Sequence, residues 1–218
     1  FYTYYGYNFV YFERYNPETW EFLGDTKASM QEVATDLAYD PITDKVYGCF
    51  VSDSGNGYVW GTIDLTEGKR TQLGFCDNPL LAIAASNEGI IYGVDGKGDL
   101  YTVDKETGAQ TLVGSTGLSV EYITQSATFD TRKNEMYWAA CLSGGKTGFY
   151  KVNTTTGEAT EVIDFPNKEQ YLGLFIKAPL AEDGAPAAVA SVITDFKNGS
   201  CTGDIKFTAP TTTFAGDA

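Results

Sequence analysis

The chain contains no histidine. That excludes a Ser-His-Asp or Cys-His nucleophile, histidine-ligated zinc or iron, and any side chain whose ordinary pKa lies near neutrality. Carboxylates are what remain for acid–base work. Asp36, Asp77 and Glu121 are the candidates by position, and nothing in their spacing pairs them. Asp95-Gly-Lys-Gly-Asp99 has the alternating oxygens and glycines of a calcium loop, but Lys97 stands where the middle ligand belongs. The stretch reads as a hairpin turn, and neither a metal nor a cofactor is expected. Cys49, Cys76, Cys141 and Cys201 form no Cys-x-x-Cys pair, so they read as buried thiols, with disulfides as the alternative.

Composition narrows the partners. Fifteen basic residues against 29 acidic ones give a net charge of −14, which repels nucleic acid and anionic membrane surfaces. No apolar run approaches the roughly 20 residues that span a bilayer, so no transmembrane segment is expected. With 218 residues, 43% apolar, the chain can bury a large core in one or two domains. The 15 tyrosines and 24 glycines suit an all-β extracellular protein. No initiator methionine precedes Phe1, which suits a mature or trimmed product.

The elements that must position any site repeat. Tyr2, Tyr47, Tyr92 and Tyr137 each follow the last by 45 residues. Thr62-Ile-Asp-Leu-Thr-Glu-Gly recurs as Thr102-Val-Asp-Lys-Glu-Thr-Gly and Lys151-Val-Asn-Thr-Thr-Thr-Gly. It recurs again, without the glycine, as Arg14-Tyr-Asn-Pro-Glu-Thr-Trp. A repeat of this length holding four short strands marks a propeller blade. Strand and turn signals predict complete blades over 36–74, 82–114 and 126–164, preceded by a unit that lacks its innermost strand. Leu172–Ile176 reads as a lone innermost strand, so its pairing with Phe1–Tyr5 would close a ring of about four blades and remove the exposed edges. The expected organisation is a small β-propeller over 1–178, a linker over 179–187, and an incomplete immunoglobulin or fibronectin III-like sandwich over 188–218.

In such a ring, the loops entering each innermost strand and those joining its second and third strands share one face. Ligands bind where several blades converge. The candidate ligand contacts there are Tyr7, Asn56, Tyr58, Asn78, Tyr122, Gln125, Gln170 and Tyr171, with Asn8, Asp53, Asp77, Glu121 and Lys146 beside them. Tyrosines, amides and acids together suit a neutral or basic polar ligand such as a glycan, while ordinary turn chemistry explains any one of them alone. The aromatic density from Phe1 to Tyr15 reads as packing between blades, Tyr7 being the expected exposed exception.

The units Leu37-Ala-Tyr-Asp-Pro-Ile-Thr-Asp-Lys-Val-Tyr-Gly and Leu100-Tyr-Thr-Val-Asp-Lys-Glu-Thr-Gly resemble the repeats of secreted bacterial propeller proteins. The tail from Val192 to Thr211 is similar to the opening of the fibronectin type III-like modules that follow such propellers in cell-surface proteins of gut bacteria. The resemblance implies an exported, surface-attached adhesion protein and carries over no catalytic residue. Asp53-Ser-Gly-Asn-Gly-Tyr58 echoes part of the sialidase Asp-box, but Val51 stands where Ser or Thr belongs. Arg14, Arg70 and Arg132 fall at turns or outer strands, so no arginine clamp is expected at the channel mouth.

The expectation is a non-catalytic extracellular binding or adhesion module. Its partners would be a polysaccharide, another surface protein, or the remainder of its own polypeptide, at the bacterial outer surface. The alternatives are a carbohydrate-active enzyme using paired carboxylates and a structural spacer within a multi-domain surface protein.

Overall fold

A computed structural model describes residues 2–5, 10–16, 18–28, 33–54, 56–174, 176, 191–196 and 203–208. The chain divides into two compact units, Phe1–Ile176 and Lys177–Ala218.

The regular elements of the first unit are antiparallel strands in four sheets. The first holds β1 (Tyr2–Tyr5), β2 (Val10–Tyr15) and β3 (Phe22–Ala28). The second holds β4 (Ala34–Asp40), β5 (Lys45–Val51), β6 (Tyr58–Asp64) and β7 (Lys69–Cys76). In the third, β8 (Leu80–Ala85), β9 (Ile91–Asp95), β10 (Asp99–Val103) and β11 (Gln110–Ser115) follow in order. In the fourth, β12 (Ser126–Asp130), β13 (Glu135–Leu142), β14 (Lys146–Val152) and β15 (Ala159–Asp164) do the same. The chain is therefore all-β, with sheets built and ordered as propeller blades.

Sequence sets the turns locally. After the third strand of a blade, Asp64, Asp104 or Asn153 accepts the amide protons two and three residues on, the hydrogen-bonding habit that makes Asp and Asn turn formers. The turn ends on Gly68, Gly108 or Gly157, each at positive φ. Asn16 makes the same bonds to Glu18 and Thr19, and there Trp20 takes the left-handed position at φ 59°.

Three hydrophobic clusters lie between consecutive sheets. Phe12, Ala28, Phe50 and Ile63 join the first to the second, Tyr47, Trp60, Leu80 and Val103 the second to the third, and Leu100, Phe129, Trp138 and Val152 the third to the fourth. Two of these seams share a close backbone approach. A Cβ added at Gly74 on β7 would lie 1.7 Å from the Thr107 carbonyl oxygen, and one at Gly114 on β11 would lie 2.0 Å from that of Thr156. The turn of one blade thus seats on a glycine in the outer strand of the blade before it. Cys49, Cys76 and Cys141 are buried and unbridged.

The inner strands converge on one axis. β4 and β8 pack together, β8 and β12 do the same, and Cα atoms of β4 and β12 also come within 8 Å.

The expected closing strand differs. Residues 171–174 form no strand, and β1 lies in a sheet ordered β1-β2-β3. Gly173 has φ +68°, which interrupts extended backbone, and Tyr171 packs edge-on against Phe165 at 4.6 Å. The segment nevertheless runs beside β12: the Leu174 amide donates to Ser126 Oγ at 3.0 Å, and Gln170 Nε2 donates to the Thr124 carbonyl.

In the second unit, β16 (Ser191–Phe196) and β17 (Gly203–Thr208) form an antiparallel hairpin. The expected linker over 179–187 and the residues after 208 lie outside the described residues.

Candidate functional site

The rim where the sheets converge is formed by the residues before each inner strand and by the loops between second and third strands. Tyr58 opens β6, and Tyr122 lies in the long connection from β11 to β12. That connection is tied down along its length. The Glu121 amide donates to the Cys141 carbonyl at 2.9 Å, the Ser143 amide to the Ser119 carbonyl at 2.9 Å, and Ser143 Oγ to the Val120 carbonyl at 3.1 Å. Its course carries Tyr122 across the third blade to the second.

There the Tyr122 ring lies against Gly96, where an added Cβ would come within 2.6 Å of a ring carbon. The Tyr58 and Tyr122 hydroxyls meet at 3.2 Å. Tyr122 remains 56% exposed, so the rigid backbone beneath it fixes the ring while part of its surface faces solvent. Desolvation of its hydroxyl, and then the bond with Tyr58, push its pKa up to about 12, so it stays a neutral donor across the physiological range.

The other expected contacts divide sharply. Gln125 is buried and all its amide groups are spent. Nε2 donates to the Glu121 and Cys141 carbonyls, and Oε1 accepts from Trp138 Nε1 at 3.0 Å and the Cys141 amide at 2.8 Å. It holds the rim loop from below and is not on the surface. Asn78 and Gln110 bond reciprocally, side chain to backbone and side chain to side chain, which locks the crossing into β8 onto the outer strand of the third blade. Asn56 is exposed in the turn where its carbonyl accepts from Ser52 Oγ. Gln170 and Tyr171 are exposed and sit on the segment beside β12. Tyr7 and Asn8 lie outside the described residues. Asp53 is engaged by Arg70 at 2.5 Å, and Lys146 by Glu161 at 2.5 Å.

Sequence reasoning weighed Asp36 as one of three acids, and the structure puts it on the axis. Asp36 Oδ2 accepts the Ile83 amide of β8 at 2.8 Å and the Ala127 amide of β12 at 3.1 Å, while Ser126 Oγ donates to Oδ1 at 3.2 Å. One carboxylate on β4 therefore ties three inner strands together. Desolvation outweighs these bonds and raises its pKa to about 7. Asp77 and Glu121 are exposed, and Asp36 has committed its oxygens to backbone amides and Ser126, so the three do not form a ready acid pair. The Asp95–Asp99 stretch is a hairpin turn, as expected: Asp95 accepts the amides of Lys97 and Asp99. Among the described residues, no group of three or more His, Cys, Asp or Glu is placed to hold a metal ion. A shallow groove beside Glu135, Lys151, Asn153 and Thr160 lies on the outer fourth sheet, away from the rim.

No family model matches the chain, and none of the curated proteins does. Among solved structures, it is similar to a protein of unknown function from Bacteroides thetaiotaomicron, with 15% identity and a TM-score of 0.53 over 72% of this chain and 41% of that one. TolB from Acinetobacter baumannii (15% identity, TM-score 0.48, 93% of this chain and 49% of that one) and puromycin hydrolase (16%, 0.43, 92% and 29%) are more distant in shape. The chain spans less than half the length of each. With the sheet geometry, the first likeness supports a propeller-like all-β fold and nothing about activity. No helix among the described residues is long and apolar enough to cross a membrane.

Proposed function

We propose that the chain is a non-catalytic binding module, exported and displayed at a bacterial surface, whose rim takes a glycan on the Tyr58–Tyr122 pair. One observation carries the reading: two tyrosines from different blades meet at 3.2 Å at the rim, with one ring seated on Gly96 and more than half exposed. An aromatic face held rigidly is suited to the C–H face of a sugar, and the paired hydroxyls offer a donor and an acceptor to its hydroxyl groups. Exposed Asn56 and Gln170 add amides of the kind that fix a polar ligand's orientation.

The same reading takes the ring as closed at about four blades and takes the terminal hairpin as the opening of a fibronectin III-like module. A glycan array tests the function. Binding to at least one polysaccharide class, lost in Tyr122→Ala, supports it, and the absence of binding to any class contradicts it.

A further inference from the structure

Two segments that leave an outer strand for the axis end alike. Glu121-Tyr122-Ile123 leads to Ser126, where β12 begins, and Gln170-Tyr171-Leu172 leads to Leu174, whose amide donates to Ser126 Oγ at 3.0 Å. A second link joins them, because Gln170 Nε2 donates to the carbonyl of Thr124, two residues on from Tyr122. Tyr122 and Tyr171 therefore stand on adjoining segments of the rim, each just ahead of the contact between Ser126 and Leu174. The crossing from β7 to β8, Asp77-Asn78-Pro79, is shorter and has no aromatic side chain.

Tyr171 is held as firmly as Tyr122. The chain leaves β15 with the Phe165 amide on the Thr147 carbonyl at 2.9 Å and turns where the Lys168 amide meets the Phe165 carbonyl at 3.1 Å. Inside that turn Asn167 Nδ2 donates to Glu169 Oε1 at 2.7 Å. Half-buried Phe165 then meets the Tyr171 ring with centroids 4.6 Å apart and planes at 63°, an edge-to-face geometry that aromatic pairs prefer. With Gln170 and Leu174 anchored on either side, Tyr171 is fixed in place while 47% exposed. The neighbours of the two tyrosines, Ile123 and Leu172, are exposed as well. Apolar surface clustered on a tied-down backbone marks an interaction site, and rings already fixed lose little freedom on binding.

Charge narrows the ligand. Glu121 adjoins Tyr122, Glu169 lies two residues before Tyr171, and the chain has a net charge of −14, so a polyanion is repelled.

We propose that Tyr171, backed by Phe165, is a second stacking position, so that the rim takes an internal stretch of an uncharged polysaccharide running across Tyr122 and Tyr171, and not a single terminal sugar. The proposal rests on the glycan reading of the Tyr58–Tyr122 pair and adds the length and charge of the ligand.

Affinity gels of soluble starch, laminarin, xylan and mannan, with alginate as the anionic control, identify a polysaccharide that the wild type binds. Calorimetric titration with its oligosaccharides, from the disaccharide to the hexasaccharide, then reads the dependence on length. The wild type gains affinity once the chain reaches both rings. Tyr171→Ala weakens binding of the longest oligosaccharides by roughly three- to tenfold and leaves the disaccharide unchanged. Tyr171→Phe behaves as the wild type, whereas Tyr171→Leu, which keeps an apolar contact with Phe165 but lacks a flat face, behaves as Tyr171→Ala. Equal affinities of wild type and Tyr171→Ala at every length, or an equal loss at every length, overturn the second position and leave the Tyr122 reading standing if Tyr122→Ala still abolishes binding. Retardation by alginate alone overturns the proposal too. Free migration of the wild type in every gel contradicts the glycan reading itself, and the proposal falls with it.

Discussion

Gln125 and Tyr122 lie three residues apart on one loop and face opposite fates. The amide of Gln125 is enclosed and bonded to Glu121, Cys141 and Trp138, whereas Tyr122 is 56% exposed with its ring on Gly96. Both belong to residue types that bind sugars, and the sequence places both at the rim. The difference shows that a polar residue entering an inner strand is consumed by the strand that follows, while three residues earlier the loop presents a side chain outward. Asp36 extends the inward class: it is polar, it lies near the same face, and it is used to tie β4, β8 and β12 together.

The comparison is broken most severely at Gln125. Gln125→Leu keeps the volume but strands the Trp138 Nε1 proton and the Cys141 amide, and should cost about 3–5 kcal/mol in urea unfolding. An equal loss for Tyr122→Ala would erase the distinction between the two.

Asp36 gives the next largest effect, through pH. Its folded-state pKa of about 7 lies above the ordinary 3.8, so the folded chain binds the extra proton and this group's contribution to stability falls as pH rises from about 4 to 7. Relative to Asp36→Asn, whose amide can accept the two backbone protons and donate to Ser126, the wild type should lose ground across that window and no further above it. The upper bound is about 4 kcal/mol, and roughly half of that is expected, because the residue is only partly buried by surface. Parallel stability–pH curves for the two proteins would contradict the axial assignment.

Asn78→Ala removes one side of the pairing with Gln110 and should cost about 1–2 kcal/mol without affecting ligand binding. Gly96→Val is the reverse case. The added carbons meet the Tyr122 side chain and not backbone, so stability should change by about 1 kcal/mol or less, while the ring is displaced from Tyr58 and binding is lost.

The fold was readable in the sequence because its determinants are local: the 45-residue tyrosine interval, the Asp or Asn turn and its glycine, and strands bounded by turn residues. The blades expected over 36–74, 82–114 and 126–164 match sheets that run from Ala34 to Cys76, Leu80 to Ser115 and Ser126 to Asp164. The segment 171–174 was misjudged because apolar content resembles an inner strand whether or not the backbone is extended, and one glycine at positive φ decides it. At the rim, the tyrosines were visible by type and position. Their contact was not, because it depends on the absence of a side chain at Gly96, a blade away. The spending of Gln125 and the sharing of Asp36 likewise draw on distant partners, Trp138 being 13 residues from Gln125 and Ala127 91 from Asp36.

The most direct measurement is migration through affinity gels containing individual polysaccharides, comparing wild type, Tyr122→Phe and Tyr122→Ala at matched melting temperature. Retardation of the wild type in at least one polysaccharide, largely kept by Tyr122→Phe and abolished by Tyr122→Ala, is the predicted result. Free migration of the wild type in every gel, or retardation that Tyr122→Ala leaves intact, would contradict the assignment of the rim tyrosines as the binding surface.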